Sequence, residues 1–351
     1  MSSLCTPCTV AVSGLNNIDS PGPGMPVIRA LRESSNLEVR IVGLSYDSLE
    51  PGLYMHDLVD KSYQIPLPSA GTEALLERLK YIQSIEQIDV LIPNFDAELH
   101  NFIRIAPLLR DSLRIKTFLP DLAEFDARHK AVLFEYGQQH GVLVPKSHTV
   151  FTLMEFHRAL EAYTYPVVVK GKYYDAQIAY SADEAVSAFY KISAKWGLPV
   201  LLQEHVRGTE VNVTVLGDGT GSCIGAVPMR KLYITDKGKA WAGVSIEDEA
   251  LMQLSRTLIE SSRWKGPCEL EFMRSEEGEY YLMEMNPRFP AWVYLAFGCG
   301  QNHPEALVQM AMGHRPEPMT KYRVGHMFIR YSQDLIVPME EFEKISTLGE
   351  L

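Results

Sequence analysis

Three polar side chains recur at every second position of one apolar run. The stretch "EYYLMEMNPRFP" (residues 279–290) places Glu284, Asn286 and Arg288 in this way. Because successive side chains of a strand point to opposite faces, a strand here carries all three on one face. The plain alternative is a strand end whose polar residues face water. The functional interpretation is a face that combines a carboxylate, an amide and a guanidinium.

A second run supplies further carboxylates. In the upstream "CELEF", Glu269 and Glu271 alternate in the same way. A hairpin at Gly278 would pair the two strands, so that Glu271 and Glu284 lie beside Asn286. Two neighbouring carboxylates repel each other without a cation, whereas Mg²⁺ takes oxygen ligands and completes its shell with waters and phosphates. The spacing therefore predicts a magnesium site, from which Arg288 can reach a transferring phosphoryl group.

Two other strand ends carry polar residues. The apolar run "YPVVVKGK" ends at Lys170, which suits phosphate oxygens or simply reaches water. In "LLQEHVRGTE", Gln203 and Glu204 end one strand and Glu210 begins the next. A hinge of this kind exposes backbone groups that can bind an adenine edge, and a carboxylate that can accept hydrogen bonds from a ribose.

Composition limits the class of protein. The chain has 351 residues, which suggests two or three domains, and a net charge of −11, which argues against a nucleic-acid partner. No apolar stretch approaches the length of a membrane span, so we expect no membrane partner. The five cysteines are odd in number and scattered, which favours reduced thiols in a cytoplasmic protein. Cys5 and Cys8 have the spacing of metal and redox pairs, but no second pair or nearby histidine completes a zinc set.

The first third of the chain alternates strands and helices, which indicates βαβ units and a parallel sheet. The loop Gly14–Gly24 is a plausible ligand wall, although it lacks the glycine spacing of a dinucleotide fingerprint. The expected strands are 9–13, 39–44, 89–93 and 115–119, and the expected helices are 25–34, 72–85 and 97–110.

The rest of the chain reads as a connecting helix followed by an α+β body. Asp126 and Gly141 can cap the ends of the connecting segment, 120–145. Hairpin signals near Gly219 and Gly278 support an antiparallel sheet. The expected strands are 166–170, 199–204, 210–217, 221–229, 266–274, 279–286 and 324–331, and the expected helices are 182–194, 247–262 and 303–313.

The order and spacing of the polar residues resemble the ATP-grasp superfamily over nearly the whole chain. The closest likeness is to its carbamoyl-phosphate-synthetase-like branch and to small-molecule carboxylate–amine ligases. The residues that carry the likeness are Lys130, Lys170, Gln203, Glu204, Glu210, Glu271 and the element Glu284-x-Asn286-Pro287-Arg288. It implies an α/β and α+β chain: a βαβ pre-ATP-grasp domain (1–119), a connecting helix with a small lid subdomain (120–205) and a C-terminal subdomain with the metal site (206–351).

The resemblance also implies a role for each residue. Lys130 and Lys170 would contact the phosphates of ATP, and Glu210 would contact its ribose. The adenine would be held by the hinge residues Gln203, Glu204, His205 and Val206. Mg²⁺ or Mn²⁺ would bind Glu271, Glu284 and Asn286. The catalytic residues would be Arg288 and Lys231, with Arg230 as a rival to Lys231.

The implied activity is an ATP-dependent carboxylate–amine ligase that forms an amide through an acyl-phosphate. The alternatives are a carboxylase or kinase-like enzyme of the same fold, or a non-catalytic ATP-binding sensor. Small-molecule or peptide carboxylates and amines would be the substrates, and relatives often form homodimers. One departure is the phosphate flap, where Tyr173 and Tyr174 replace the usual glycines. Together with Trp292 and the Gly14–Gly24 loop, these tyrosines are candidates for substrate selection.

Overall fold

Two compact units make up the protein. The computed structural model describes residues 6–16, 21–172, 175–235 and 238–351. The first unit comprises Met1–Phe125, Asn212–Glu269 and Asn286–Leu351, and the second comprises Asp126–Val211 and Leu270–Met285. The three-part division expected from the sequence stays a prediction.

A four-stranded parallel sheet forms near the N-terminus of the chain, in the order β3-β2-β1-β4. Apolar side chains of both faces are buried, which explains the continuous apolar runs of its strands. The parallel sheet expected here is thereby confirmed. Its elements are β1 (Thr6–Ser13), α1 (Gly24–Arg32), β2 (Leu37–Ser45), β3 (Lys61–Gln64), α2 (Gly71–Glu86), β4 (Val90–Ile92) and α3 (Asp96–Leu113).

One local expectation in this region is wrong, and one strand was not expected. Residues 115–119 form no strand of their own and contribute a single bridge, between Lys116 and Val90. Ile115 and Leu119 are buried, so the apolar run reflects burial of a connecting segment and not a strand. The remaining strand of the sheet is β3, whose sequence Lys-Ser-Tyr-Gln carries little apolar signal.

The connecting segment is helical but broken. It forms α4 (Leu122–Ala127) and α5 (Leu133–His140), so Asp126 lies inside a helix and does not cap one. Gly141 ends α5 with a φ of 69°, as expected of a C-terminal glycine. Gly137 is required within α5 because a β-carbon there would collide with the side chain of Val144.

The second unit contains an antiparallel sheet in the order β5-β8-β6-β7. One face packs against two helices, which begin at the side-chain caps Thr152 and Ser181. The elements are β5 (Ser147–Val150), α6 (Leu153–Leu160), β6 (Val167–Gly171), β7 (Ala176–Ala179), α7 (Ala182–Trp196) and β8 (Val200–Glu204).

A six-stranded sheet has the order β13-β12-β9-β10-β11-β14. The tight turn between β12 and β13 forms as expected, with Gly278 at a φ of 91° and its N–H donating to Ser275 O at 3.0 Å. The last strand is much shorter than expected, and β11 was not foreseen. The elements are β9 (Gly208–Asp218), β10 (Cys223–Ile234), β11 (Ala240–Ser245), α8 (Glu249–Ser262), β12 (Lys265–Ser275), β13 (Tyr280–Asn286), α9 (Tyr294–Gly298), α10 (His303–Ala311), β14 (Met327–Ile329) and α11 (Met339–Leu348). Among the described residues, no helix is both long and apolar enough to span a membrane.

Candidate functional site

Two lysines and two glutamates form a charged cluster in the second unit. Lys130 lies in the turn between α4 and α5, and its Nζ is 3.0 Å from Glu284 Oε1 on β13. Burial, and then the charge of Lys130, lowers the pKa of Lys170 to about 8, while Glu284 and Glu271 act in the opposite direction. The other three residues therefore all lie close enough to Lys170 to act on its ammonium group. Two ammonium groups that act on each other in this way favour a polyanion beside them, because its charge offsets their repulsion.

The face of the sheet that carries Lys170 is not its helix-covered face. The register pairs Lys170 with Leu201 and Val168 with Gln203, so Lys170 and Gln203 project on one side. The opposite side packs into the core, represented by Val169 and Leu202. Because β6 and β8 are antiparallel, Lys170 and Gln203 lie about two residues, or roughly 7 Å, apart along the strands.

The hinge after β8 contains buried polar atoms available to a ligand. Within the part of the chain that the structure describes, Gln203 Oε1 and His205 Nδ1 are buried and have no hydrogen-bond partner. A buried polar atom that stays unpaired costs free energy, so these two atoms fit a bound molecule with its own polar groups. Glu204 instead fixes the hinge, because its Oε2 accepts from Lys146 N at 3.0 Å. Val206 follows at a partly exposed position.

Arg288 is held in the first unit by two carboxylates. Its Nε donates to Asp96 Oδ2 at 2.9 Å, and its Nη1 lies 3.6 Å from Glu269 Oε2. The side chain is 11% exposed. Strand β13 ends at Asn286, as expected from the sequence, and Pro287 cannot continue a strand interior, so Arg288 lies beyond the strand. Arg288 is therefore positioned by its ion pairs and not by strand alternation.

Glu269 connects Asn286 to Arg288. Its Oε2 accepts from Asn286 Nδ2 at 3.4 Å, and its Oε1 accepts from Trp292 Nε1 at 2.6 Å and from Asn212 Nδ2 at 3.1 Å. Trp292 is buried in an apolar cluster, so the structure places its ring in the core.

The predicted metal ligands have the chemistry that a magnesium ion requires. Glu271 and Glu284 both act on the pKa of Lys170, which places both carboxylates near one ammonium. Along β13, Glu284 and Asn286 lie on the side opposite the fully buried Met285. Over the described ranges, no group of three or more His, Cys, Asp or Glu side chains could hold a metal. The predicted set has two carboxylates and an amide, and these hard oxygens fit Mg²⁺.

The remaining predicted residues lie on other strands or outside the described residues. Lys231 is on β10, where its Nζ donates to Gly238 O at 3.3 Å. Glu210 is near the start of β9 and is partly exposed. Burial raises the pKa of the Cys8 thiol to about 11, which disfavours the thiolate that a metal needs. Cys5, Tyr173 and Tyr174 lie outside the described residues.

Sequence reasoning missed three residues that organise the site. Glu269 was noted as the neighbour of Glu271 on one strand face but received no role. Asp96 begins α3 and Asn212 lies on β9, far from Arg288 and Glu269 in the sequence. Their pairing depends on the tertiary fold, and only the alternation of Glu269 with Glu271 offered a signal.

Comparisons with known proteins agree with the fold expected from the sequence. A family model described as "ATP-grasp in the biosynthetic pathway with Ter operon" matches residues 198–330. The carbamoyl phosphate synthase large chain of Agathobacter rectalis is 24% identical over 246 residues, covering 66% of this chain and 22% of that protein. The same enzyme of Methanobrevibacter smithii is 23% identical over 287 residues, covering 76% of this chain and 26% of that protein. The chain thus spans about a quarter of the length of these relatives.

Solved structures share the fold at low sequence identity. Biotin carboxylase from Campylobacter jejuni, described as a β-γ-ATP complex, has a TM-score of 0.71 and 14% identity, covering 91% of this chain and 74% of that one. The ADP complex of N5-carboxyaminoimidazole ribonucleotide synthetase has a TM-score of 0.68 and 15% identity, covering 91% and 81%. L-amino acid ligase from Bacillus licheniformis has a TM-score of 0.65 and 17% identity, covering 88% and 75%. The expected fold, with a pre-ATP-grasp domain before the grasp, is confirmed.

Proposed function

We propose that this chain is a member of the ATP-grasp superfamily and acts as an ATP-dependent carboxylate–amine ligase. The observation that carries the proposal is the cluster of Lys130 and Glu284 with Lys170 and Glu271. The two lysines can bind the negative oxygens of a triphosphate, and the two carboxylates can bind the divalent ion that accompanies a triphosphate. Such a site has the parts of phosphoryl transfer, which are positioning and charge neutralisation.

ATP binding is assigned to the second unit. Lys130 and Lys170 would hold the phosphates, and the hinge from Gln203 to Val206 would hold adenine, with the unpaired Gln203 Oε1 as support. Glu210, at the start of β9, would accept from the ribose hydroxyls. Binding would break the ion pair between Lys130 and Glu284. Lys130 would then contact the phosphates, and Glu284 would contact the divalent ion.

A divalent ion would be held by Glu271, Glu284 and Asn286. When bound, Mg²⁺ or Mn²⁺ neutralises charge on the phosphate oxygens. The donation of Asn286 Nδ2 to Glu269 supports this assignment, because it directs the amide nitrogen, which cannot bind a cation, towards a carboxylate.

The reaction would proceed in two steps. The substrate carboxylate attacks the γ-phosphorus of ATP, the bond to the β,γ-bridging oxygen breaks, and ADP leaves. Arg288, held by Asp96 and Glu269, stabilises the transferred phosphoryl group, and Lys231 is the second basic candidate. The neutral amine then attacks the acyl carbon, phosphate leaves, and the amine nitrogen loses a proton. Water must be excluded because the acyl-phosphate would otherwise hydrolyse.

The substrate class follows from this chemistry. We propose a small-molecule or peptide carboxylate and a small amine, which agrees with the L-amino acid ligase among the structural neighbours. The likeness to carbamoyl phosphate synthase large chains supports placement in that branch. We also propose a cytoplasmic homodimer, and one neighbouring structure is described as a dimer.

A release assay tests the activity. ADP formation is followed with pooled small carboxylates, with pooled amines and with both, and hydroxylamine is used to trap acyl-phosphate as a hydroxamate. A ligase forms ADP and hydroxamate in the presence of carboxylates. ATP binding without turnover under every pairing would identify a sensor. Transfer of phosphate to a hydroxyl acceptor, without hydroxamate, would identify a kinase-like enzyme.

A further inference from the structure

Glu269 is surrounded by hydrogen-bond donors. Indole and amide N–H groups face Oε1, from Trp292 and Asn212 at 2.6 and 3.1 Å. An amide N–H and a guanidinium face Oε2, from Asn286 and Arg288 at 3.4 and 3.6 Å. A carboxylate is the side chain of this size that can accept on both sides, because a glutamine would turn its NH₂ towards donors in either orientation.

The three amide and carboxylate residues form one row across the sheet. Asn286 lies on β13, Glu269 on β12 and Asn212 on β9, which are consecutive strands. All three are buried, with exposures of 8%, 7% and 0% respectively. A carboxylate removed from water in this way needs its hydrogen bonds, so the row has a single favourable arrangement of donors and acceptors.

The row determines which end of the Asn286 amide faces Glu269 and which end faces away from it. An amide presents either two N–H donors or a carbonyl oxygen, and a cation accepts only the oxygen. With Nδ2 directed to Glu269, Oδ1 points away from that carboxylate. The same Oε2 also restrains Nη1 of Arg288, so one oxygen positions both a metal ligand and a phosphoryl-binding group.

We infer that Glu269 is a positioning residue: it holds Asn286 with its oxygen towards the divalent ion and holds Arg288 towards the phosphoryl group, without binding the ion itself. This inference rests on the proposed function and deepens it. Partners of this kind contribute about 10- to 100-fold to metal affinity in other proteins.

The test measures binding of Mn²⁺ in the presence of ADP, by electron paramagnetic resonance of the free ion. E269Q should weaken Mn²⁺ binding by roughly tenfold or more, because its NH₂ drives the Asn286 amide to turn over. The matched control is W292F, which removes a donor from the other oxygen of the same carboxylate. This variant should bind Mn²⁺ within about twofold of the wild type if only the Oε2 side positions the ligand.

A double variant separates positioning from a general structural role. In E269Q/N286D the polarity of the pair is reversed: the glutamine NH₂ donates to one aspartate oxygen, and the other oxygen is free for the ion. This variant should recover most of the lost affinity, and it carries the test if E269Q alone does not fold. Unchanged Mn²⁺ binding in E269Q, an equal loss in W292F, or no recovery in the double variant would each overturn the inference.

The failure of the proposed function would be recognised separately. If the wild type itself does not bind Mn²⁺ with ADP, the ligase proposal falls. The orientation of Asn286 is then tested without a metal, by the side-chain amide resonance of Asn286 in selectively ¹⁵N-labelled protein. That resonance should change in E269Q and keep its position in W292F, and the reverse would contradict the inference.

Discussion

Lys170 provides a quantitative test of the nucleotide site. Burial and the neighbouring Lys130 lower its pKa from 10.5 to about 8. If ATP binds only the protonated lysine, its association constant follows the protonated fraction. That fraction is about 0.9 at pH 7 and about 0.1 at pH 9, so the affinity for ATP should fall roughly tenfold between them.

The assay is calorimetric titration of ATP with excess Mg²⁺ at pH 7, 8 and 9. The terminal phosphate is already ionised across this range, so the ligand contributes little to the trend. The control is K170R, whose guanidinium keeps its charge and whose profile should be flat. A wild-type profile as flat as that of K170R would refute the assignment of Lys170 to the phosphates.

The same pKa shift predicts that replacing Lys170 with an apolar residue raises the free energy of unfolding. The folded-state pKa lies below the unfolded value, so the unfolded chain binds more protons between about pH 8 and 10.5. The charged lysine therefore lowers the free energy of unfolding below pH 8, and this cost is relieved as the pH rises through that window. K170M should raise the free energy of unfolding at pH 7 by on the order of 1 kcal/mol while abolishing ATP binding. Denaturant unfolding measures this, and a destabilised K170M would contradict it.

Further predictions concern single side chains. E284Q should lower Mg²⁺-dependent turnover by at least about 100-fold with an unchanged circular dichroism spectrum, because the metal loses a carboxylate; normal turnover would refute the metal assignment. R288A should lower kcat more than it raises KM for ATP, and an effect on KM alone would remove Arg288 from the chemical step. D96N should lower kcat by roughly five- to tenfold, because Arg288 loses the charged partner that lies 2.9 Å from its Nε. Kinetics equal to the wild type would show that this ion pair is dispensable. G225A should lower Tm, because a β-carbon there would lie 2.5 Å from His303 Nε2; an unchanged melting curve would count against the close packing.

The sequence predicted well what depends on local pattern. Alternating strands and helices identified the parallel sheet, and a glycine in a two-strand context identified the turn at Gly278. Apolar runs that end in a charge correctly placed Lys170 at the end of β6. These signals are local, because strand periodicity and turn geometry each involve a few consecutive residues.

What the sequence did not predict depends on distant partners. Arg288 was assigned to a strand face, whereas Pro287 ends the strand and Asp96 and Glu269 hold the guanidinium. Burial of Ile115 in a connecting segment produced the same apolar signal as a strand. The role of Glu269 depends on four groups that surround its carboxylate, and all four lie outside β12.

The path of oxygen atoms tests the central claim most directly. The protein is incubated with ATP, Mg²⁺, an amine pool and small carboxylates labelled with ¹⁸O, and the released phosphate is analysed by mass spectrometry. Attack of the carboxylate on the γ-phosphorus transfers one labelled oxygen to phosphate when the amide forms. Labelled phosphate, dependent on the carboxylate, is the predicted result; turnover that yields only unlabelled phosphate would contradict an acyl-phosphate ligase.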